Sequence, residues 1–360
     1  MILTVIFFIL LIGALVLVHE FGHFFVAKKL GIRVDEFAFG FPPRLFSFVR
    51  GGTRYALNLL PIGGYVKIFG ESGEGEGVAE SFVTRPVWQR FLIIAAGVVM
   101  NLILAWIFFS IGSGLGLPTA VTAENEARVQ NARVGIIGVD EGSPARIADL
   151  RFGDIVKSAS VNAEKIDVRE IDDLQKFIAG HVGKEVALDV VRGEEFLVKK
   201  VTPRQAPPEG EGPLGIALAK IGVIKTPWFL AWWEGLKMAA LSTAAIVVGF
   251  AGLFKDILTT GGVSADISGP VGIFIFAREF GELGFIYLLQ LAALLSVNLA
   301  ILNALPFPAL DGGRLLFLAI EKIKGSKVDQ RVEKAIHTAG FIILIMLMVA
   351  VTYRDLARIF

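Results

Sequence analysis

Cysteine is absent from the 360 residues. That excludes disulfides, thiolate metal sites and a cysteine nucleophile. Histidine is scarce, at four in the chain, so a bound metal must draw on imidazole and carboxylate. Charge is short as well: 19% of residues are Asp, Glu, Lys or Arg and 54% are hydrophobic, where soluble chains carry about 25% charge. The shortage is uneven. Residues 1–18 and 91–123 hold no charge, and 335–353 hold none beyond His337, whereas 124–212 read as an ordinary polar domain. Uncharged runs of that length are candidates to span a bilayer. A net charge of +1 gives no reason to invoke nucleic acid as a partner.

The chain therefore reads as a polytopic membrane protein with one soluble insert. Its first run lacks a basic leader and a small-residue cleavage site, and it continues directly into His19-Glu20-Phe21-Gly22-His23. A retained helix is expected there rather than a signal peptide. The next stretch is basic (Lys28, Lys29, Arg33, Arg44, Arg50, Arg54 and Lys67), which places it on the cytoplasmic side. Within it, Tyr55–Leu60 and Gly64–Ile68 flank Pro61-Ile62-Gly63, the pattern of a strand–turn–strand hairpin. The Gly/Glu-rich segment 70–80 is expected to be mobile. A second span covers Phe91 to Gly114. The insert, Ala127 to Leu218, has short β-rich runs, one helix signal at Ile171–Gly180, and Gly142-Ser143-Pro144-Ala145 followed by Leu150-Arg151-Phe152-Gly153-Asp154. That order resembles a PDZ domain, whose groove takes extended peptide tails by strand addition. Leu214–Leu218 resembles its groove-edge strand, displaced to the end as in permuted bacterial PDZ domains. Further spans are expected at Phe285–Leu305 and Ala335–Val351.

His19, Glu20 and His23 form H-E-x-x-H. Residues four apart share a helix face, so both imidazoles can ligate one Zn²⁺ with Glu20 beside it, placed to act on water. Two histidines leave a catalytic zinc one ligand short. The candidates are His181, His337 or a carboxylate, and Asp311, in Asn303-Ala-Leu-Pro306-Phe-Pro308-Ala-Leu-Asp311-Gly312-Gly313, is the best placed.

His19–His23 together with Asn303–Gly313 resemble the paired signatures of the site-2 protease family of intramembrane zinc metalloproteases (peptidase family M50), most nearly the bacterial regulator-of-sigma-E type. The similarity extends to Pro61-Ile62-Gly63-Gly64-Tyr65, the PDZ-like insert, Ser268-Gly269-Pro270 and Ser296-Val297-Asn298-Leu299. It implies that Asp311 completes the zinc site and that Asn303 holds substrate. There are departures. The family's second-span motif often has Gly-Pro before Asn, and here Gly97-Val98-Val99-Met100-Asn101 lacks the proline. The early G-F-G-P element reads Gly40-Phe41-Pro42-Pro43, and there is room for one PDZ domain where several relatives have two.

Orientation gives a separate check. His19 lies about 27 Å along the helix from Met1, near the far side of a roughly 30 Å hydrocarbon layer. Asp311 reaches the same depth only if the span before it runs in the same direction. Counting Pro227–Phe254 as a crossing would carry Asp311 to the opposite face. Its tryptophans, with Glu234 and Lys237, suit an interface instead.

The expected architecture is thus a polytopic α-helical membrane protein of four transmembrane helices, a membrane-associated β-hairpin and one extracytoplasmic α+β PDZ domain. Its parts are residues 1–125 (two spans and the hairpin), 126–220 (PDZ-like), 221–284 (interfacial) and 285–360 (two spans). The expected setting is the bacterial inner membrane, with the site toward the cytoplasmic leaflet. The expected activity is intramembrane hydrolysis of single-span membrane proteins, such as anti-sigma factors, with the lipid bilayer and peptide tails as further partners. Zn²⁺ sits on His19, His23 and Asp311, and Glu20 is the general base. Gly63 and Gly64 offer a strand edge, and Asn303 and Asn101 hold freed backbone groups, although Asn101 equally suits a link between helices. The alternatives are an intramembrane zinc transporter, which has no need of Glu20, and a catalytically inactive PDZ adaptor.

Overall fold

A computed structural model of the chain describes residues 2–123, 125–260 and 269–359. Ser268 therefore lies outside the described residues. The chain divides into two compact units: Met1–Phe109, Gly235–Ile275 and Ala292–Phe360 form the first, and Ser110–Glu234 with Phe276–Leu291 the second.

The uncharged runs become long helices, since a helix satisfies its own backbone in lipid. They are α1 (Ile2–Lys29), α2 (Val87–Leu115), α7 (Phe285–Ala304) and α9 (Gln330–Ile359), with α8 (Asp311–Lys324) between the last two. Two further helices, α5 (Trp228–Thr260) and α6 (Pro270–Leu283), follow the insert. Among the described residues, five helices are long and apolar enough to cross a membrane: α1, α2, α5, α7 and α9. The fifth is α5, expected at an interface. Two of its four charges, Glu234 and Lys237, lie near its start, and a long apolar run separates them from Lys255 and Asp256 near its end.

Two strands, β1 (Val34–Arg50) and β2 (Thr53–Ile68), follow α1. The hairpin is present, but it turns at Gly51–Gly52, both with positive φ, rather than at Pro61–Gly63. Tyr55–Leu57 and Gly64–Val66 do not pair with each other. Phe37–Phe39 of β1 lies between them, with Phe37 facing Val66 on one side and Tyr55 on the other. The Pro61 bend lies against α1, where a Cβ on Gly13 would come 2.7 Å from the Pro61 carbonyl oxygen. Pro61 and Gly63 therefore mark a bend over a helix, not a reversal. The segment expected to be mobile is tied down: Glu71 pairs with Arg314, Glu76 with Lys327 at 2.7 Å, and Ser81 Oγ donates to the Glu74 carbonyl.

The second unit carries a sheet in the order β3–β9–β4–β5–β7–β8, with β6 paired to β5. The strands are β3 (Leu117–Ala120), β4 (Gln130–Val139), β5 (Ile155–Val161), β6 (Glu164–Asp167), β7 (Val186–Arg192), β8 (Glu195–Val201) and β9 (Ile216–Ile224). Short α3 (Pro144–Ile147) and amphipathic α4 (Ile171–Gly180) cover it. Alternating residues such as Val134, Ile136, Val156, Leu188 and Val190, together with Leu174 of α4, close one core. Asp154 of the Gly-Asp pair is fully buried. It accepts from Arg192 Nε at 2.7 Å and Nη2 at 2.8 Å, so the buried carboxylate is matched by a forked donor. β9 pairs with β4 (Ile136 opposite Leu218), and β3 covers its other side only at Ile221–Ile224. Ile216–Ala219 thus keep an open edge among the described residues.

Candidate metal centre

The H-E-x-x-H turn falls in α1, and the one-turn spacing sets both imidazoles side by side, their Nε2 atoms 3.2 Å apart. Asp311, the first residue of α8, brings Oδ2 to 3.0 Å from His19 Nε2 and 3.2 Å from His23 Nε2. Zinc bonds to nitrogen and oxygen of about 2.0–2.1 Å in a tetrahedron put neighbouring donors about 3.3 Å apart. The three ligand atoms all lie within 4.8 Å of one another, and their donor set of two imidazoles and a carboxylate is one that zinc takes. The residues fit the ion.

The surroundings fix which imidazole nitrogen faces inward. His23 Nδ1 donates to the Ile93 carbonyl at 2.8 Å, which leaves Nε2 for a metal. His19 Nδ1 lies 3.3 Å from the Asn101 amide. The atom in contact is Asn101 Nδ2, and Asn101 Oδ1 is buried without a partner. A ring engaged through Nε2 keeps its proton on Nδ1, so turning the amide end for end brings Oδ1 to accept it. Asn101 is itself held, because Ser296 Oγ donates to its carbonyl at 2.8 Å.

Glycine makes the space. A Cβ on Gly97 of α2 would sit 2.5 Å from His23 Nε2 and 2.7 Å from His19 Cε1, and one on Gly22 would sit 2.4 Å from the Ala96 carbonyl oxygen. Gly312 and Gly313 lie under the loop that precedes Asp311, where a Cβ would meet the Leu305 and Phe307 carbonyl oxygens at 2.1 and 2.4 Å.

Glu20 Oε2 accepts from the Val66 backbone N–H at 3.0 Å. The Gly64–Lys67 segment pairs with β1 along one side and presents Val66 to α1 from the other. Gly63 and Gly64 are buried, with Gly63 at φ +94° beside Val16 and Gly64 paired to Phe39. Asn303 is half-buried in the last turn of α7. The other two histidines are used elsewhere: His181 Nδ1 donates to the Phe177 carbonyl at 2.9 Å, and His337 Nδ1 accepts from Ala309 N–H at 2.9 Å. The contributions of Gly97 and Ser296 are not visible in motif spacing, since they depend on how closely α2 and α7 approach α1.

A model of peptidase family M50 matches residues 7–347. A Clostridium perfringens protein is 36% identical over 353 residues, 98% of each chain. The zinc metalloprotease RasP of Bacillus licheniformis is 31% identical over 440 residues, covering 99% of both chains. The regulator of sigma-W protease RasP of Bacillus subtilis is 31% identical over 442 residues, again 99% of each.

Proposed function

The chain belongs to peptidase family M50 and is a multi-pass zinc metalloendopeptidase, and we propose that it cuts single-span membrane proteins in or near their membrane segments. The observation that carries this reading is the meeting of His19, His23 and Asp311, donors 292 positions apart at the extremes, within about one tetrahedral edge of each other. Zinc held by these three residues acidifies water and polarises a carbonyl.

The other residues divide the remaining work. As water oxygen attacks the scissile carbonyl carbon, Glu20 takes its proton. It delivers that proton to the amide nitrogen when the C–N bond breaks. Asn101 holds the His19 ring from behind, and Ile93 holds the His23 ring. A helical substrate hides its carbonyls in its own hydrogen bonds and has to be extended first. The outer side of Gly64–Lys67, with Gly63 at the bend, gives an extended segment an edge to pair with next to Glu20, and Asn303 takes a freed backbone group. The Ile216–Ala219 edge beside α4 suits the PDZ reading of the insert and the binding or exclusion of peptide tails. Both histidines and Asp311 share one depth, which favours four crossings with α5 in the interface. On that count the insert is extracytoplasmic and the site lies toward the cytoplasmic leaflet of a bacterial plasma membrane. A relative named for regulating sigma-W makes an anti-sigma factor a fitting substrate class.

The test uses the purified full chain in detergent with a model single-span substrate. Cleavage is expected to stop with a zinc chelator and to fall at least about a hundredfold in Glu20→Gln, with zinc retained. A Glu20→Gln protein that cleaves like the wild type removes the proteolytic reading. One that carries zinc across vesicles, beside a wild type that never cleaves, favours a transporter.

A further inference from the structure

α9 supplies no ligand, yet it touches the loop that delivers one. Between α7 and α8 the chain runs through Leu305–Leu310. Two of these six residues are prolines and donate no backbone hydrogen bond. Phe307 N–H turns back to the Leu305 carbonyl at 2.7 Å and Leu310 N–H to the Phe307 carbonyl at 3.2 Å. Ala309 is the strained member, at φ +78°, a conformation that disfavours any residue with a Cβ. Its N–H points away from the loop, and His337 Nδ1 accepts it at 2.9 Å.

The rest of the contact is built to match. A Cβ on Gly340, one turn further along α9, would lie 2.4 Å from Pro308 Cβ and 2.6 Å from the Pro308 carbonyl oxygen, so the helix backbone comes down onto the loop. The His337 ring also lies against Phe317 of α8, with centroids 5.5 Å apart. An imidazole that accepts at Nδ1 keeps its proton on Nε2, and here Nε2 is buried without a partner. Leaving a buried donor unpaired is unfavourable, and the ring bears that for the bond at Nδ1.

We propose that His337 is a positioning residue for the metal centre: by accepting the Ala309 N–H it holds the strained turn two residues before Asp311, and so sets where that carboxylate reaches His19 and His23. The inference rests on the reading of Asp311 as a zinc ligand. It makes α9 part of the metal site although it offers the ion nothing.

The experiment measures zinc affinity of the full chain in detergent micelles by competition with a chromophoric chelator, alongside cleavage of a single-span substrate. Four variants are compared after gel filtration: His337→Leu, His337→Gln, His337→Asn and Asp311→Asn. Asparagine sets an amide oxygen where Nδ1 stands, and glutamine sets its amide near Nε2 instead. His337→Leu and His337→Gln are expected to lose about tenfold or more in zinc affinity, the usual effect of losing a group behind a ligand. His337→Asn is expected to recover most of it. Wild-type affinity in His337→Leu overturns the proposal, as does equal loss in the asparagine and glutamine variants. If His337→Leu does not fold, the asparagine–glutamine comparison decides alone. Asp311→Asn separates the two levels: should it bind zinc like the wild type, the ligand reading fails and the proposal with it. Should it lose zinc while the His337 variants keep theirs, only the proposal fails.

Discussion

Gly97 is a small residue with a large consequence. Both imidazoles lie against it: a methyl there would lie 2.5 Å from His23 Nε2 and 2.7 Å from His19 Cε1, well inside contact. Gly97→Ala is therefore expected to cost at least about 10–100-fold in zinc affinity while helical content stays unchanged, measured as zinc per chain after gel filtration beside circular dichroism. A fully loaded Gly97→Ala protein would mean that α1 and α2 stand further apart than described here. The grouping of the candidate ligands was legible, because helical spacing joins His19 to His23 and the Pro/Gly-flanked Asp311 stands out in an apolar chain. The reason for Gly97 was not legible. It stood out only as part of a motif lacking a proline, and its role follows from a helix–helix approach that local sequence does not encode. Asn101 was read as either a substrate contact or a link between helices, and it is the His19 ring that it faces.

At the scale of elements, the second unit shows how much a polar stretch reveals. Its alternating strands, the α4 helix and the closing β9 strand follow from patterning, and Asp154 of the Gly-Asp signature turns out to anchor Arg192. Asp149, at the same corner, titrates low. Partial burial works upward, but hydrogen bonds from Lys199 and Arg151, with their charges, hold it down to about 2. A carboxyl depressed in the folded state stabilises above its unfolded value, near 3.9, and that contribution is lost as pH falls from about 4 to about 2. The half-exposed side chain keeps the effect small. The stability of this unit, followed in the full chain by hydrogen exchange at the amides of its sheet, is expected to drop over that window, and by less in Asp149→Asn. Equal drops in both proteins would assign the acid sensitivity to other groups. The β1–β2 pairing was less legible. Pro61 and Gly63 carry turn chemistry, and only the contact with Gly13 of α1 makes them a bend that leaves room for Phe37–Phe39 between the two halves of β2.

For the molecule as a whole, the open quantity is the number of crossings. α5 is 33 residues long, about 50 Å at 1.5 Å per residue, more than a hydrocarbon layer of about 30 Å requires. Its first turns expose Trp228, Phe229, Trp232 and Trp233, an aromatic cluster at home in the headgroup region. The chain lacks cysteine, so single substitutions report cleanly. With α5 in the interface, Phe229→Cys and Leu258→Cys are both expected to react with an impermeant maleimide from the insert's side of intact cells. Labelling from opposite sides would make α5 a crossing and demand another return before α7. Composition located the long helices but not this one's orientation, because length and hydropathy are shared by spanning and surface-lying helices alike. The sequence distance between the ligands also sets a schedule for biosynthesis. A ribosome that has released both histidines must still translate some 290 residues before the carboxylate that pairs with His19 exists. A truncated or stalled product is thus left with the two imidazoles and without the carboxylate that joins them.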